Sequence, residues 1–155
     1  LGKFSARPAI SRTSCSARIG GALRSIMNGL RDLQRNACFY CGRPFTSETE
    51  VDHFIPWSRY PRDLAHNFVL ADRTCNQHKA EMLAAPDHLE RWLRRNRQDE
   101  DLREIFAKTP FLIDADASYS VTEWAYDHAE RAGSIVWVRG NETSRLNPEW
   151  REWFS

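Results

Sequence analysis

No uninterrupted run of aliphatic or aromatic residues in this 155-residue chain exceeds a few positions, and Ile135-Val136-Trp137-Val138 is typical of the longest. A membrane span needs about 20 such residues, so none is expected here, and no hydrophobic signal segment is visible. Cysteine is scarce: four in all, two of them in a Cys-x-x-Cys pair. They read better as metal ligands in a reducing compartment than as a disulfide framework, which points to a cytoplasmic protein. Net charge is nearly absent at +1, which removes any general signal of nucleic-acid binding. The balance hides an asymmetry, because Leu1 to Arg35 holds seven basic residues and one acid, whereas 81–155 holds ten basic and fifteen acidic. A basic arm, a neutral centre and an acidic tail follow. There is no internal repeat and no low-complexity tract.

What is present suffices for one modest core with an appended helical layer, since 41% of residues are hydrophobic and 12% aromatic. The first fourteen residues lack apolar period and read as a mobile basic arm. Ile19, Leu23, Ile26, Leu30 and Leu33 recur at three- and four-residue intervals, so Ala17 to Gln34 is an expected amphipathic helix. Ala37 to Phe45 is an expected strand with Gly42 at its tight turn, and Glu50 to Ile55 a second one ended by Pro56. Asn67 to Ala71 is short and extended or turning. A capping box at Thr74-Cys75-Asn76-Gln77 starts a helix that stops at Pro86. Beyond it come one long or broken helix carrying Leu89, Trp92, Leu93, Leu102, Ile105 and Phe106, and another capped by Ser120 to Glu123 and ending at Gly133. The strand Ile135 to Val138 and a last helix opened by Asn147-Pro148 close the chain.

The chemistry lies in the centre. Cys38 and Cys41 have the spacing that presents two sulfurs to one tetrahedral zinc, and Cys75 supplies a third. Cys15 stands apart from that pattern as a free or partly buried thiol. Asp52 can hold a hard divalent cation, and His53 can take a proton from water near neutral pH. Asn76 adds a neutral oxygen ligand, and Lys79, one helical turn later, a phosphate-seeking charge. Cys75-x-x-His78 puts a fourth candidate zinc ligand, His78, on the same helical face as Cys75.

In order and spacing, Cys38-Phe39-Tyr40-Cys41, Val51-Asp52-His53-Phe54-Ile55-Pro56, His66-Asn67-Phe68-Val69-Leu70 and Cys75-Asn76-Gln77-His78-Lys79 resemble the HNH endonucleases, the ββα-metal nucleases. The likeness is specific from Ala37 to Leu83. It implies that His53 is the general base, that Asp52 and Asn76 hold the catalytic metal, and that Asn67 fixes the loop and keeps His53 oriented. It also places Asp72 where the family carries another zinc-binding cysteine, making the structural set Cys38, Cys41, Asp72 and Cys75, with His78 as the alternative to Asp72. Asn76 stands where many members have a second metal-binding histidine. A carboxylate with an amide favours Mg²⁺ or Mn²⁺ at that site.

The expected fold class is therefore α+β: a small ββα-metal core with a zinc knuckle, a leading helix and a mostly helical C-terminal extension. Residues 1–14 form the arm, 15–86 the nuclease domain, and 87–155 the extension packed on it. The expected function is metal-dependent hydrolysis of DNA phosphodiester bonds, as the nuclease part of a larger restriction, mobile-element or defence system. The alternative is a catalytically silent zinc module that binds nucleic acid or protein. The chain opens on Leu1 rather than Met and reads as a fragment, with targeting assigned to a domain or subunit outside it. Lys79 and Arg73, with Arg43, Arg59 or Arg62, are the expected phosphate contacts, and Trp57 and Tyr60 belong to a loop that packs or stacks. His66, His88 and His128 read as polar surface or capping residues. Arg91, Arg94, Arg95 and Arg97 read as a solvated helix face, and the tryptophans at 92, 124, 137, 150 and 153 as core.

Overall fold

The computed structural model describes residues 17–46 and 48–155; the expected basic arm and Cys15 lie outside them. Helix α1 (Ala17–Leu33) is followed by β1 (Thr49–His53), a 3₁₀ turn (Ala65–Asn67), β2 (Phe68–Asp72) and α2 (Arg73–Lys79). Helices α3 (Pro86–Asn96), α4 (Glu100–Phe106) and α5 (Ala115–Arg131) come next, then β3 (Ile135–Arg139), β4 (Glu142–Arg145) and a 3₁₀ segment (Pro148–Phe154). The centre of this order is ββα, as expected of the fold class. No helix among the described residues is long and apolar enough to cross a membrane.

β1 and β2 pair antiparallel, with Asp52 opposite Val69 and His53 opposite Phe68. Side chains alternate faces along a strand, and both faces of β2 are covered. Phe68 and Leu70 join Ile26 and Leu30 of α1 and Leu102 and Phe106 of α4 in one cluster. Val69 and Ala71 join the knuckle, α3, α5 and the β3 region in the other, which runs from Cys38 to Trp150. The strand buried on both faces explains why its sequence is a continuous apolar run. Gly29 lets α1 lie close to α4 on the first side, since a Cβ there would meet the Ile105 side chain at 2.7 Å.

Several local expectations are corrected. Ala37–Phe45 is not a strand: one antiparallel bridge, Ala37 to Pro44, spans a turn with Gly42 at φ 70°. Gly42 N–H donates to the Cys38 carbonyl and Cys38 N–H to that of Arg43, both at 2.9 Å. The backbone bonds here tighten a knuckle instead of extending a ladder. Helix α2 stops at Lys79, well before Pro86, because Ala80 takes φ 48° and turns the chain onto β3, where Leu83 and Ala85 exchange bonds with Trp137. Helix α5 starts at Ala115 under an Asp114 cap. Ser118 and Thr122 lie inside it, their hydroxyls donating to carbonyls four residues back, so the expected cap at Ser120 is interior.

Burial also corrects the polar surface. His66 and His88 are buried rather than exposed. His88 Nε2 donates to the Val138 carbonyl at 2.8 Å and its ring stacks on Trp137; His66 meets Asp99 at 3.1 Å. Arg91 and Arg95 are clamps, donating to the carbonyls of Phe39 and Tyr40 and of Phe68 and His66 respectively. Arg94 alone of these shows the expected solvated pairing, with Glu90 four residues before it. Trp92, Trp137 and Trp150 are core, whereas Trp124 is 52% exposed.

Candidate functional site

The knuckle thiols and Asp72 converge. The sulfurs of Cys38, Cys41 and Cys75 and a carboxylate oxygen of Asp72 all lie within 4.8 Å of one another. That is the scale of a tetrahedral zinc shell, in which sulfurs ~2.3 Å from the metal stand roughly 3.8 Å apart. Asp72 occupies the N-cap of α2 yet makes no side-chain cap. Its carboxylate turns instead to Cys41, 3.4 Å away, while its N–H donates to Cys38 sulfur at 3.3 Å. His78 is exposed and stands outside this group.

The thiols act on one another electrostatically. A hydrogen bond from Cys75 draws the Cys38 thiol down to about 6, and the same contact pushes the Cys75 thiol up. Burial raises Cys41, reinforced by the neighbouring Cys38 thiolate. One thiolate here suppresses the next, a conflict that a divalent ion relieves. The donor set is compatible with structural zinc.

The second constellation sits at the end of β1. Glu50 and Asp52 share one face of that strand, two residues apart, and α2 lies across it. Asn76 Nδ2 donates to Glu50 Oε2 at 2.6 Å, and Lys79 Nζ lies 3.2 Å from Asp52 Oδ2. That same Asp52 oxygen accepts the Tyr40 hydroxyl at 2.5 Å. Oδ1 has no protein partner among the described residues. Burial, with the Asp52 charge adding to it, holds the Tyr40 hydroxyl well above its usual range, so it remains a donor.

Lys79 departs from expectation. It is fully buried, donates to the His53 carbonyl at 3.1 Å and lies 5.7 Å above the Tyr40 ring. Burial lowers its pKa and Asp52 opposes that. It neutralises Asp52 from within and has no access to a phosphate, because the face it shares with Asn76 is the one α2 turns inward. Arg73 is half exposed, but its guanidinium is engaged by Glu48 and by Glu50 at 3.6 Å.

His53 leaves β1 on the face opposite Asp52. Its ring centroid is 4.8 Å from Phe68 and 5.6 Å from the exposed Trp57, and Nε2 is 2.8 Å from Asp63 Oδ1. Asn67 is buried and clasps Ile55 at both ends, accepting from its N–H at 2.7 Å and donating to its carbonyl at 2.9 Å. The Asn67 carbonyl also accepts Phe54 N–H. The chain leaving His53 is thereby tied to the start of β2. Tyr60 packs against the larger cluster.

Two contacts escaped the sequence reading. Glu50, two residues before Asp52 and on its face by period two, is from sequence an alternative to Asn76 at the metal, and here it is the partner of the Asn76 amide. Tyr40, inside the knuckle, and Asp63, in an irregular loop, carry no local signal.

No curated protein and no solved structure matches this chain. Residues 38–85, from the first knuckle cysteine to the residue before α3, match the family model described as HNH endonuclease. The matched segment, similar to the HNH endonucleases, holds Cys38, Cys41, Asp72, Cys75, Asp52, His53, Asn67 and Asn76 and is set in an α+β fold.

Proposed function

We propose that the chain is a metal-dependent DNA endonuclease that hydrolyses phosphodiester bonds in line. The observation that carries this reading is that Asp52 keeps one carboxylate oxygen unpartnered on the face of β1 that α2 covers with Asn76, with His53 next in sequence. Asp52 and Asn76 offer only oxygen ligands, a donor set suited to Mg²⁺ or Mn²⁺. A cation held there would supply positive charge to the reacting phosphate and its leaving 3′ oxygen.

The residues do the rest. Neutral His53 accepts the proton of the attacking water. Asn67 holds the loop after it, and the Tyr40 and Lys79 contacts fix the Asp52 carboxylate in one rotamer. Glu50 holds the Asn76 amide by its nitrogen, leaving Oδ1 as the ligand atom. The products carry a 5′ phosphate and a 3′ hydroxyl. Arg43, Arg59 and Arg62 remain the candidate phosphate contacts, with Arg73 available on release from its glutamates. Cys38, Cys41 and Cys75, unpaired among the described residues, suit a reducing, cytoplasmic setting, and DNA targeting is assigned to a partner domain or subunit.

A catalytically silent zinc module is the second reading. It is favoured by one observation: Asp52 and Asn76 each already have a partner in the chain. The two readings part on metal exchange. Mild EDTA should stop plasmid cleavage without unfolding the protein, and Mg²⁺ or Mn²⁺ should restore it in the parent but not in Asn76→Ala. A parent inert at every metal concentration supports the silent module.

A further inference from the structure

The contact between Asp63 and His53 goes beyond the ββα pattern. Asp63 comes from the loop between β1 and the 3₁₀ turn, ten residues after His53, and brings Oδ1 to 2.8 Å from Nε2. Its neighbour Leu64 is buried and bridged to Leu112, and Ala65 N–H donates to the Leu112 carbonyl at 2.8 Å. The residue that reaches His53 is therefore set on anchored backbone.

An ionised carboxylate only accepts hydrogen bonds. Facing Asp63, a neutral His53 ring must carry its proton on Nε2 and its lone pair on Nδ1. Nδ1 has no hydrogen-bond partner among the described residues, yet it is not among the buried atoms that lack one. The side chain is 25% exposed, so water can reach it. Phe68 and Trp57 limit rotation of the ring about its axis.

We propose that Asp63 is the positioning residue for His53, fixing both its orientation and its tautomer so that Nδ1 takes the proton from the attacking water. This rests on the reading of His53 as general base. Asp63 touches neither metal ligand nor substrate in this arrangement; it acts only through the imidazole, as a carboxylate does behind a catalytic histidine. The developing imidazolium is stabilised by the same contact.

The test combines kinetics with spectroscopy on the full chain. With plasmid substrate, Asp63→Ala should lower kcat by about 10–100-fold with KM unchanged. Asp63→Glu, which keeps an acceptor-only carboxylate, should recover part of the loss, whereas Asp63→Asn, whose amide can donate to Nε2, should not. With ¹⁵N-labelled histidine, followed up a pH series until the His53 ring is neutral, the parent should show a protonated Nε2 with a slowly exchanging proton and an unprotonated Nδ1. That proton signal should vanish in Asp63→Ala, while zinc content stays at the parent level. A parent that cuts, together with Asp63→Ala of equal kcat or a His53 protonated on Nδ1, overturns the inference and leaves the nuclease reading standing. A parent that cuts nothing overturns the nuclease reading itself, and with it the catalytic role of Asp63.

Discussion

Lys79 Nζ lies 3.2 Å from Asp52 Oδ2, with the lysine side chain wholly buried and the aspartate 13% exposed. The residue expected to hold a cation is thus also the counter-charge of a buried ammonium. A buried pair is costly to break from one side, because the orphaned charge keeps its desolvation penalty.

Asp52→Ala should therefore lose stability as well as cleavage, by roughly 3–5 kcal/mol. Lys79→Met, which removes the buried charge but retains the stem, should be milder than Lys79→Ala. Urea unfolding of the three variants checks the order. Equal stability of Asp52→Ala and parent would mean that Lys79 reaches solvent.

The knuckle gives a second prediction. Cys38→Ser should abolish zinc binding and lower the melting temperature, since a structural zinc site contributes folding energy directly. Metal analysis of Asp72→Ala and His78→Ala separates the candidate fourth ligands. Zinc should fall in the first and stay at the parent level in the second.

Asn67→Ala should destabilise by roughly 2–4 kcal/mol, because both polar groups of Ile55 lose a buried partner. Chemical denaturation measures it. A change below about 1 kcal/mol, the net value of a single ordinary hydrogen bond, would show that the clasp does not hold the loop.

Acid should act through two histidines. Burial depresses both His66 and His88 below the usual value near 6.5. A depressed pKa means that the unfolded chain binds more protons, so these groups contribute stability above about pH 6.5 that is lost as pH falls through their folded values. His88→Gln should flatten that part of the stability profile, provided zinc content is followed in parallel. An unchanged slope would put the acid sensitivity elsewhere.

The legible parts were those that depend on spacing. The knuckle cysteines, Asp52-His53, Asn67 and Asn76 are short-range patterns, and the apolar periods of α1 and α3 set their buried faces. What escaped depends on which face tertiary packing selects. Asn76 and Lys79 share a helix face by period, but only the placement of α2 over β1 makes that face interior. His66, His88, Arg91 and Arg95 are polar residues drawn inward by backbone carbonyls and one carboxylate. Strand β4, Glu142–Arg145, is exposed throughout and has no apolar residue to betray it; its signal was the turn at Gly140, with φ 47°.

The central claim is that His53 is the base of a metal-dependent nuclease. Supercoiled plasmid incubated with Mg²⁺ or Mn²⁺ and either parent or His53→Ala tests it most directly. The parent should nick or linearise the DNA, and the variant, matched in zinc content and DNA affinity, should be slower by about 10²–10⁴-fold. Cleavage by His53→Ala at the parental rate would contradict the assignment.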